Sequence, residues 1–173
     1  ALSLTEIEAQ LLGGTVSGTG NLEFVSRDLS LDLVVAELDP AGLVPGWKRT
    51  IAGSVVLDIS GNNEVSTTLR LSAGNNRLSY DGELVPAIRG NVVLEAADLA
   101  QLYPGAAGEL TARGWLGGTL QEPVADVVVA GQALRWDALA IGVLRAELSS
   151  AADGALQVTL LAQEAGAGDA DRY

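Results

Sequence analysis

The chain has 173 residues with 22 acidic and 10 basic side chains, and it contains no His, no Cys and no Met. A formal net charge of −12 opposes binding to the phosphate backbone of nucleic acids. The absence of His and Cys removes the usual zinc and haem ligands, thiol nucleophiles and triad bases. We therefore expect no cofactor, no metal site, no catalytic residue and no enzymatic activity.

Almost half of the residues, 48%, are apolar, but only 4% are aromatic. No apolar run reaches the roughly 18 residues that a membrane-spanning helix needs, and no signal peptide is recognisable. The chain opens at Ala1–Leu4 in the middle of an alternating pattern and without an initiator Met. We interpret it as a stretch of a longer repetitive chain.

Apolar and polar residues alternate along most of the chain, which is the period of a β-strand with one apolar face. The glycine-rich run 13–20 is interpreted as a flexible strand or a bend, and a change of phase near Ser26 predicts a bulge or corner. Alternation then covers residues 29–35, 55–59, 69–73, 88–96, 110–116 and 156–162. Turn-forming residues predict an all-β domain built from hairpins, with turns at 60–63, 73–76, 81–82 and 153–154.

Two similar segments interrupt the alternation. Residues 37–46 resemble residues 96–105, and Asp98 lies 59 residues after Asp39. The second segment predicts one or two helical turns that end at Pro104. The repetition favours stacked structural units over a single closed globule.

The apolar side of the alternating segments carries no charged residue across 29–35, 55–59, 69–73 and 88–96. This pattern fits a closed β-sandwich that buries these residues in its own core, and it fits an open sheet equally well. The scarcity of aromatic residues mildly favours the open sheet, because sandwich cores usually contain large rings. We assign residues 1–163 to one repetitive β domain and residues 164–173 to a disordered tail or an excision boundary.

The most specific strings in the chain are DLAQLYPG (98–105), GELTARG (108–114), GGTLQEP (117–123) and VVVAGQALRW (127–136). In combination they resemble the TamB family, within the AsmA-like, bridge-like lipid transport superfamily. The resemblance extends over about residues 28–150. It implies an open, curved, antiparallel-type sheet (a U-shaped β-taco) with a continuous apolar concave groove.

The resemblance also implies a location and partners. The parent protein would be anchored in the inner membrane of a Gram-negative bacterium, with this segment in the periplasm. The segment would belong to the body of that protein or lie near its C-terminal region. The implied partners are phospholipid acyl chains, the inner membrane through an N-terminal anchor outside this stretch, and the outer-membrane barrel subunit TamA or a related barrel.

The implied function is lipid transport and outer-membrane protein assembly between the two membranes, with acyl chains or nascent outer-membrane strands held in the groove. Each buried methylene of an acyl chain contributes about 0.8 kcal/mol, so an aliphatic wall retains lipid without selecting one species. The expected groove-lining residues are Leu31, Leu33, Val55, Leu57, Ile59, Leu69, Leu71, Leu78, Tyr80, Val92, Leu94, Leu110, Ala112, Leu116, Val127, Val129, Leu134, Trp136, Leu156, Val158 and Leu160.

Two alternatives stay open at this point: a structural or adhesive β-solenoid, and a closed β-sandwich, neither of which would carry lipid. The exposed edges of an open sheet also predict self-association through edge strands. Trp47, Trp115 and Trp136 are expected either to pack on sheet edges or to sit at the rim of the groove.

Overall fold

A computed structural model describes residues 1–119, 122–150 and 156–164. The described chain consists almost entirely of β-strands, as the alternation predicts. The strands are β1 (Leu2–Leu11), β2 (Gly14–Glu23), β3 (Asp28–Leu38), β4 (Ile51–Ile59), β5 (Val65–Ala73), β6 (Asn76–Val85), β7 (Ile88–Ala96), β8 (Ala106–Gly118), β9 (Pro123–Trp136), β10 (Leu139–Ser150) and β11 (Leu156–Glu164).

The strands form one antiparallel sheet in which the order in space equals the order in sequence, from β1 to β11. The first and last strands do not pair with each other, so the sheet is open. Five of the strand pairs contain a register shift, and such bulges bend and twist the strands that carry them. The expectation of an all-β, open and curved antiparallel sheet is therefore confirmed.

A single layer leaves little to bury. The buried apolar residues in the described part of the chain are small: Val35, Ala73, Ala96, Ala106, Ala125 and Val127. No Leu, Ile or aromatic residue there is buried. A closed sandwich would enclose those large side chains between two sheets, and a solenoid would close into a coil, so neither alternative describes the observed architecture.

Two longer connections punctuate the sheet, and we call them the first connector (residues 39–50, between β3 and β4) and the second connector (residues 97–105, between β7 and β8). Each contains one turn of 3-10 helix, Pro40–Gly42 in the first and Leu99–Gln101 in the second. Four strands separate the two connectors. The 59-residue repetition in the sequence therefore corresponds to a unit of one connector followed by four strands.

Two local expectations need correction. The change of phase near Ser26 is a hairpin turn of residues 24–27 between β2 and β3, in which Arg27 has a φ of 62°. The turn expected at Asp81–Gly82 is wrong, because both residues pair with β5 and β7 in the middle of β6. The chain turns later, at Pro86, whose ring nitrogen has no hydrogen to donate to the ladder.

The glycine-rich run 13–20 forms the end of a hairpin turn and most of β2. Glu164, which the sequence assigned to the tail, is the last residue of β11. Residues 165–173 and the turn expected at 153–154 lie outside the described residues.

Candidate functional site

The strand register aligns apolar residues into continuous rows across the sheet. Directly opposed residues share a face, so a row can be followed from one strand to the next. One row consists of Ile7, Gly18, Leu33, Val55, Leu69, Tyr80, Val92, Gly114, Val127, Leu148 and Val158. The neighbouring row on the same face consists of Ala9, Val16, Val35, Gly53, Leu71, Leu78, Leu94, Ala112, Val129, Ala146 and Leu160.

Neither row contains a charged residue, and we call the surface that they define the apolar face. Most charged side chains of the strands, for example Asp58, Arg70 and Glu95, lie on the opposite face, which we call the outward face. Glu164, the last residue of β11, is an exception, because it pairs with Ile141 and alternates in phase with Leu160.

On the outward face, Arg113 and Glu95 form an ion pair at 2.7 Å, and Arg145 and Glu147 form another at 3.1 Å. Both pairs are largely exposed and contribute little stability, so the outward face is a solvated surface.

The register places the predicted groove-lining residues on the apolar face. Leu31, for example, lies between Gly20 and Leu57, and Leu110 lies between Ala96 and Gly131. The register also sets Leu156 opposite Ser150, although its side chain is outside what the structure describes.

Leu134 and Trp136 reach the apolar face by a different route. A bulge at Ala133, whose φ is 49°, shifts the phase of β9 by one residue. Leu134 therefore lies on the same side as Gly131: a Cβ built on Gly131 would be 2.6 Å from Leu134 Cδ1. Strict alternation from Val127 and Val129 would have put both residues on the outward face.

Polar side chains on the apolar face form hydrogen bonds with backbone groups of the sheet. The Thr67 hydroxyl donates to the carbonyl of Val56 at 2.8 Å, and the Tyr80 hydroxyl donates to the carbonyl of Glu83 at 2.7 Å. The Ser150 hydroxyl oxygen accepts from the N–H of Ala125 at 2.9 Å. The face therefore holds apolar groups by contact and offers few donors that would select a polar one.

Tyr80 is the largest side chain in its row. Its ring lies over Gly90, where a built Cβ would be 2.6 Å from Cζ of the ring. Burial against the sheet raises the pKa of the phenol above its ordinary value of 10.0, and the nearby carboxylates of Glu83 and Asp81 act in the same direction. The neutral phenol is thus the form that the apolar face favours.

The two connectors are joined to each other along one side of the sheet. The N–H of Lys48 donates to the carbonyl of Leu102 at 3.0 Å, and its Nζ donates to the carbonyl of Ala100 at 3.1 Å. Tyr103 packs on Gly46, where a built Cβ would be 3.0 Å from the ring, and stacks on Trp136 with ring centroids 5.1 Å apart. The first connector is thereby fixed to the second and, through it, to β9.

The joined connectors cover part of the apolar face. Trp47 and Leu102 lie over a cavity of about 140 Å³ whose floor includes Leu71, Leu78 and Leu94. Alternation in the sequence predicts that the floor residues line the groove, but it does not identify Leu102 and Tyr103, and it leaves Trp47 either on a sheet edge or at the groove rim. The available signal was the aromatic residue next to a Pro-Gly pair in each connector, Trp47 after Pro45-Gly46 and Tyr103 before Pro104-Gly105.

A second hollow, of about 460 Å³, lies on the outward face near the turns opposite the connectors. Its lining includes Glu23, Asp28, Asp58, Glu64 and Glu83. The Asp28 carboxylate accepts a hydrogen bond from the N–H of Gly61 at 2.9 Å. The Ser26 side chain and the Gly61 N–H together hold the pKa of Asp28 below its usual 3.8.

In the described ranges, no group of three or more acidic side chains is placed to hold a metal ion. Among those same residues, no helix has the length and apolar character to cross a membrane.

Comparison with curated proteins and with solved structures finds no match. A comparison with protein families does find one: residues 1–169 match the family described as TamB, N-terminal domain. The expected position was in the body of the parent protein or near its C-terminal region, whereas the matching domain is the family's N-terminal one. Because the match covers nearly the whole chain, the protein belongs to the TamB family.

Proposed function

We propose that this chain is a periplasmic segment of an inner-membrane-anchored protein and that its apolar face is the wall of a groove that binds lipid acyl chains. The observation that carries the proposal is the continuity of the uncharged rows across all of the described strands. Membership of a family of bacterial envelope proteins supports it. The biological role we propose is lipid transport and outer-membrane protein assembly between the inner and outer membranes.

The spacing of the strands suits movement of an acyl chain along the groove. Neighbouring strands lie about 4.8 Å apart, so a chain that crosses them meets a similar aliphatic surface at every step. Each methylene that leaves water gains about 0.8 kcal/mol wherever it sits on such a surface. The total binding free energy of an acyl chain is therefore large, but no position along the groove is strongly preferred. No catalytic step is involved.

The open edges of the sheet support a second cargo and a set of partners. Within the described residues, β1 and β11 each pair with a strand on one side only, and an extended segment, from an adjoining part of the parent protein or from another chain, can pair with such an edge. Nascent outer-membrane strands, the barrel subunit TamA or a related barrel, and a second copy of this chain are the proposed candidates. The inner membrane is a further proposed partner, which the parent protein contacts through an N-terminal anchor outside this stretch.

The proposal is tested by putting a charge on either face of the same strand. Leu57→Asp in β4 and Leu94→Asp in β7 introduce a carboxylate on the apolar face. Val56→Asp and Val93→Asp are matched controls, because each lies one residue away on the outward face. Lipid that co-purifies with the full-length protein is quantified by mass spectrometry, and folding is followed by circular dichroism.

We expect both apolar-face variants to lose most bound lipid while remaining folded, because the affected Leu residues are only half-buried. The outward-face controls should retain lipid. If Leu94→Asp unfolds the whole sheet, the apolar face is required for folding itself, and the proposal that it is free to bind lipid is overturned. Unchanged lipid content in a folded Leu94→Asp variant would also overturn the proposal.

A further inference from the structure

We propose that the first connector forms a subsite for one anionic lipid, with the end of an acyl chain beneath Trp47 and Leu102 and the anionic head beside Lys48 and Arg49. The inference rests on the proposed function, because it assigns a lipid class and an orientation to one place on the apolar face. It requires two things of the structure: an apolar seat and free cations at its margin.

The seat is the cavity of about 140 Å³ between the connectors and the sheet. Its roof is Trp47 and Leu102, and Trp47 has its indole N–H bonded to the carbonyl of Arg49. The buried polar side chain in its wall, Asn76, bonds the carbonyl of Ala73 and the N–H of Asp98. With those groups occupied, an alkyl chain fits the cavity, and a polar head would lose its water without replacement.

The cations are Lys48 and Arg49, which directly follow Trp47 and are both exposed. Among the described residues, the ion pairs within 4.0 Å involve only Arg113, Arg145 and the N-terminal amine, so Lys48 and Arg49 form none. The Lys48 ammonium donates one N–H to the carbonyl of Ala100, and its other two N–H groups are available to a ligand.

The acidic residues of the connectors do not neutralise these cations. Asp39 accepts from the N–H of Ala41 at 2.9 Å, and Asp98 accepts from the N–H of Ala100 at 3.0 Å. The second oxygen of Asp98 accepts from the Gln101 amide at 3.0 Å. In a chain with a net charge of −12, two adjacent cations without acidic partners beside an apolar cavity match a phosphate or carboxylate that carries an alkyl chain.

The second connector does not repeat the arrangement. The residues that correspond to Trp47 and Lys48, 59 positions later, are Ala106 and Ala107, and both belong to β8 and pair with β9. Their methyl side chains are too short to roof a cavity and carry no charge that could pair with an anion. Within the described residues, we therefore assign one such subsite, at the first connector.

The test compares two lipids that differ in head-group charge. Dioleoyl phosphatidylglycerol (one negative charge) and dioleoyl phosphatidylcholine (no net charge) are titrated separately into the full chain, and binding is measured by native mass spectrometry. The charge-removing variant is Lys48→Gln/Arg49→Gln, and the charge-keeping control is Lys48→Arg/Arg49→Lys. A second control, Arg70→Gln/Arg89→Gln, removes two cations from the outward face that do not line the cavity.

We expect the wild-type chain to bind phosphatidylglycerol more tightly than phosphatidylcholine. In the charge-removing variant, the ratio of the two affinities should fall about fivefold for each cation removed. Both controls should keep the preference. Leu102→Ser should weaken the binding of both lipids to a similar extent, because it opens the roof without changing the charge.

Equal preference in the wild-type chain and the charge-removing variant would overturn the subsite, as would the same loss in the outward-face control. Inorganic phosphate that binds as tightly as phosphatidylglycerol would also overturn it, because the apolar seat would then contribute nothing. If the wild-type chain binds neither lipid, the proposed function itself is wrong.

Discussion

The side-chain oxygen of Asn76 accepts a hydrogen bond from the N–H of Asp98 at 3.1 Å, and its amide donates to the carbonyl of Ala73 at 3.0 Å. Asn76 is only 3% exposed and is the buried polar residue of the described chain. One side chain thus ties the β5–β6 hairpin to the start of the second connector. The connector roof depends on this tie, because Leu102 follows Asp98 by one helical turn.

Asn76→Ala is expected to lower the free energy of unfolding by about 1–3 kcal/mol, because it removes the partners of the part-buried Asp98 N–H and the buried Ala73 carbonyl. Asn75→Ala is the matched control: Asn75 is exposed and uses its backbone N–H, not its side chain, to bond Gln101. Urea denaturation of both variants measures the difference. Equal midpoints for the two variants would show that the tie is not formed.

The repeat unit predicts that two distant aspartates act alike. Asp39→Ala and Asp98→Ala each remove a carboxylate that accepts from the N–H two residues later, and each should cost about 0.5–2 kcal/mol. Asp98→Ala should cost more, because Asp98 also accepts from the Gln101 amide. Urea midpoints of the two variants test the order, and a larger effect for Asp39→Ala would contradict it.

The sheet was predictable from the sequence because a period of two fixes which residues share a face. Leu57 and Val55, for instance, were assigned to the apolar side from alternation alone, and the register agrees. The similarity between the connectors was also visible in the sequence. It corresponds to two 3-10 turns with the same aspartate cap.

Features that depend on contacts between distant residues were not predictable in this way. Asp81–Gly82 has the composition of a tight turn, but pairing on both sides keeps it extended, so tertiary context overrides the local preference. The roof over the apolar face needs Lys48 to meet Ala100, 52 residues later, and no local pattern encodes that meeting. The bulge at Ala133 likewise becomes visible only through the register with β8.

The lowered pKa of Asp28 predicts a loss of stability in acid. The folded state holds the carboxylate charged through the Ser26 side chain and the Gly61 N–H, so it binds a proton less readily than the unfolded chain. This contribution is fully present above the ordinary value of 3.8 and is lost as the pH falls through the lower, folded value. Asp28→Asn should therefore show a flatter decline in urea midpoint below about pH 4 than the wild-type chain.

Asp32→Asn, on the outward face of the same strand, is the control for a general change in net charge. Because Asp28 is exposed, the expected difference is small and needs midpoints at several pH values. Parallel acid profiles for the wild-type chain and Asp28→Asn would contradict the prediction.

The raised pKa of Tyr80 predicts a loss of stability at high pH, in contrast to the loss in acid predicted for Asp28. Its folded pKa is raised above 10.0 chiefly by burial, so the folded state keeps the phenolic proton longer than the unfolded chain does. The resulting stabilisation is complete below the unfolded value and is lost as the pH rises through the folded one. Tyr80→Phe cannot ionise, but it loses the hydrogen bond to the carbonyl of Glu83, which costs about 0.5–1.5 kcal/mol near neutral pH.

The wild-type chain should therefore be more stable than Tyr80→Phe at pH 7, and the gap should narrow or reverse above about pH 10. Urea midpoints from pH 7 upward measure the gap, and Ser79→Ala, on the outward face of β6, should run parallel to the wild-type chain. A gap that stays constant across this range would mean that the phenol is as well solvated in the folded state as in the unfolded one. The ring would then not lie against Gly90, and the row that passes through Leu69, Tyr80 and Val92 would be interrupted at its centre.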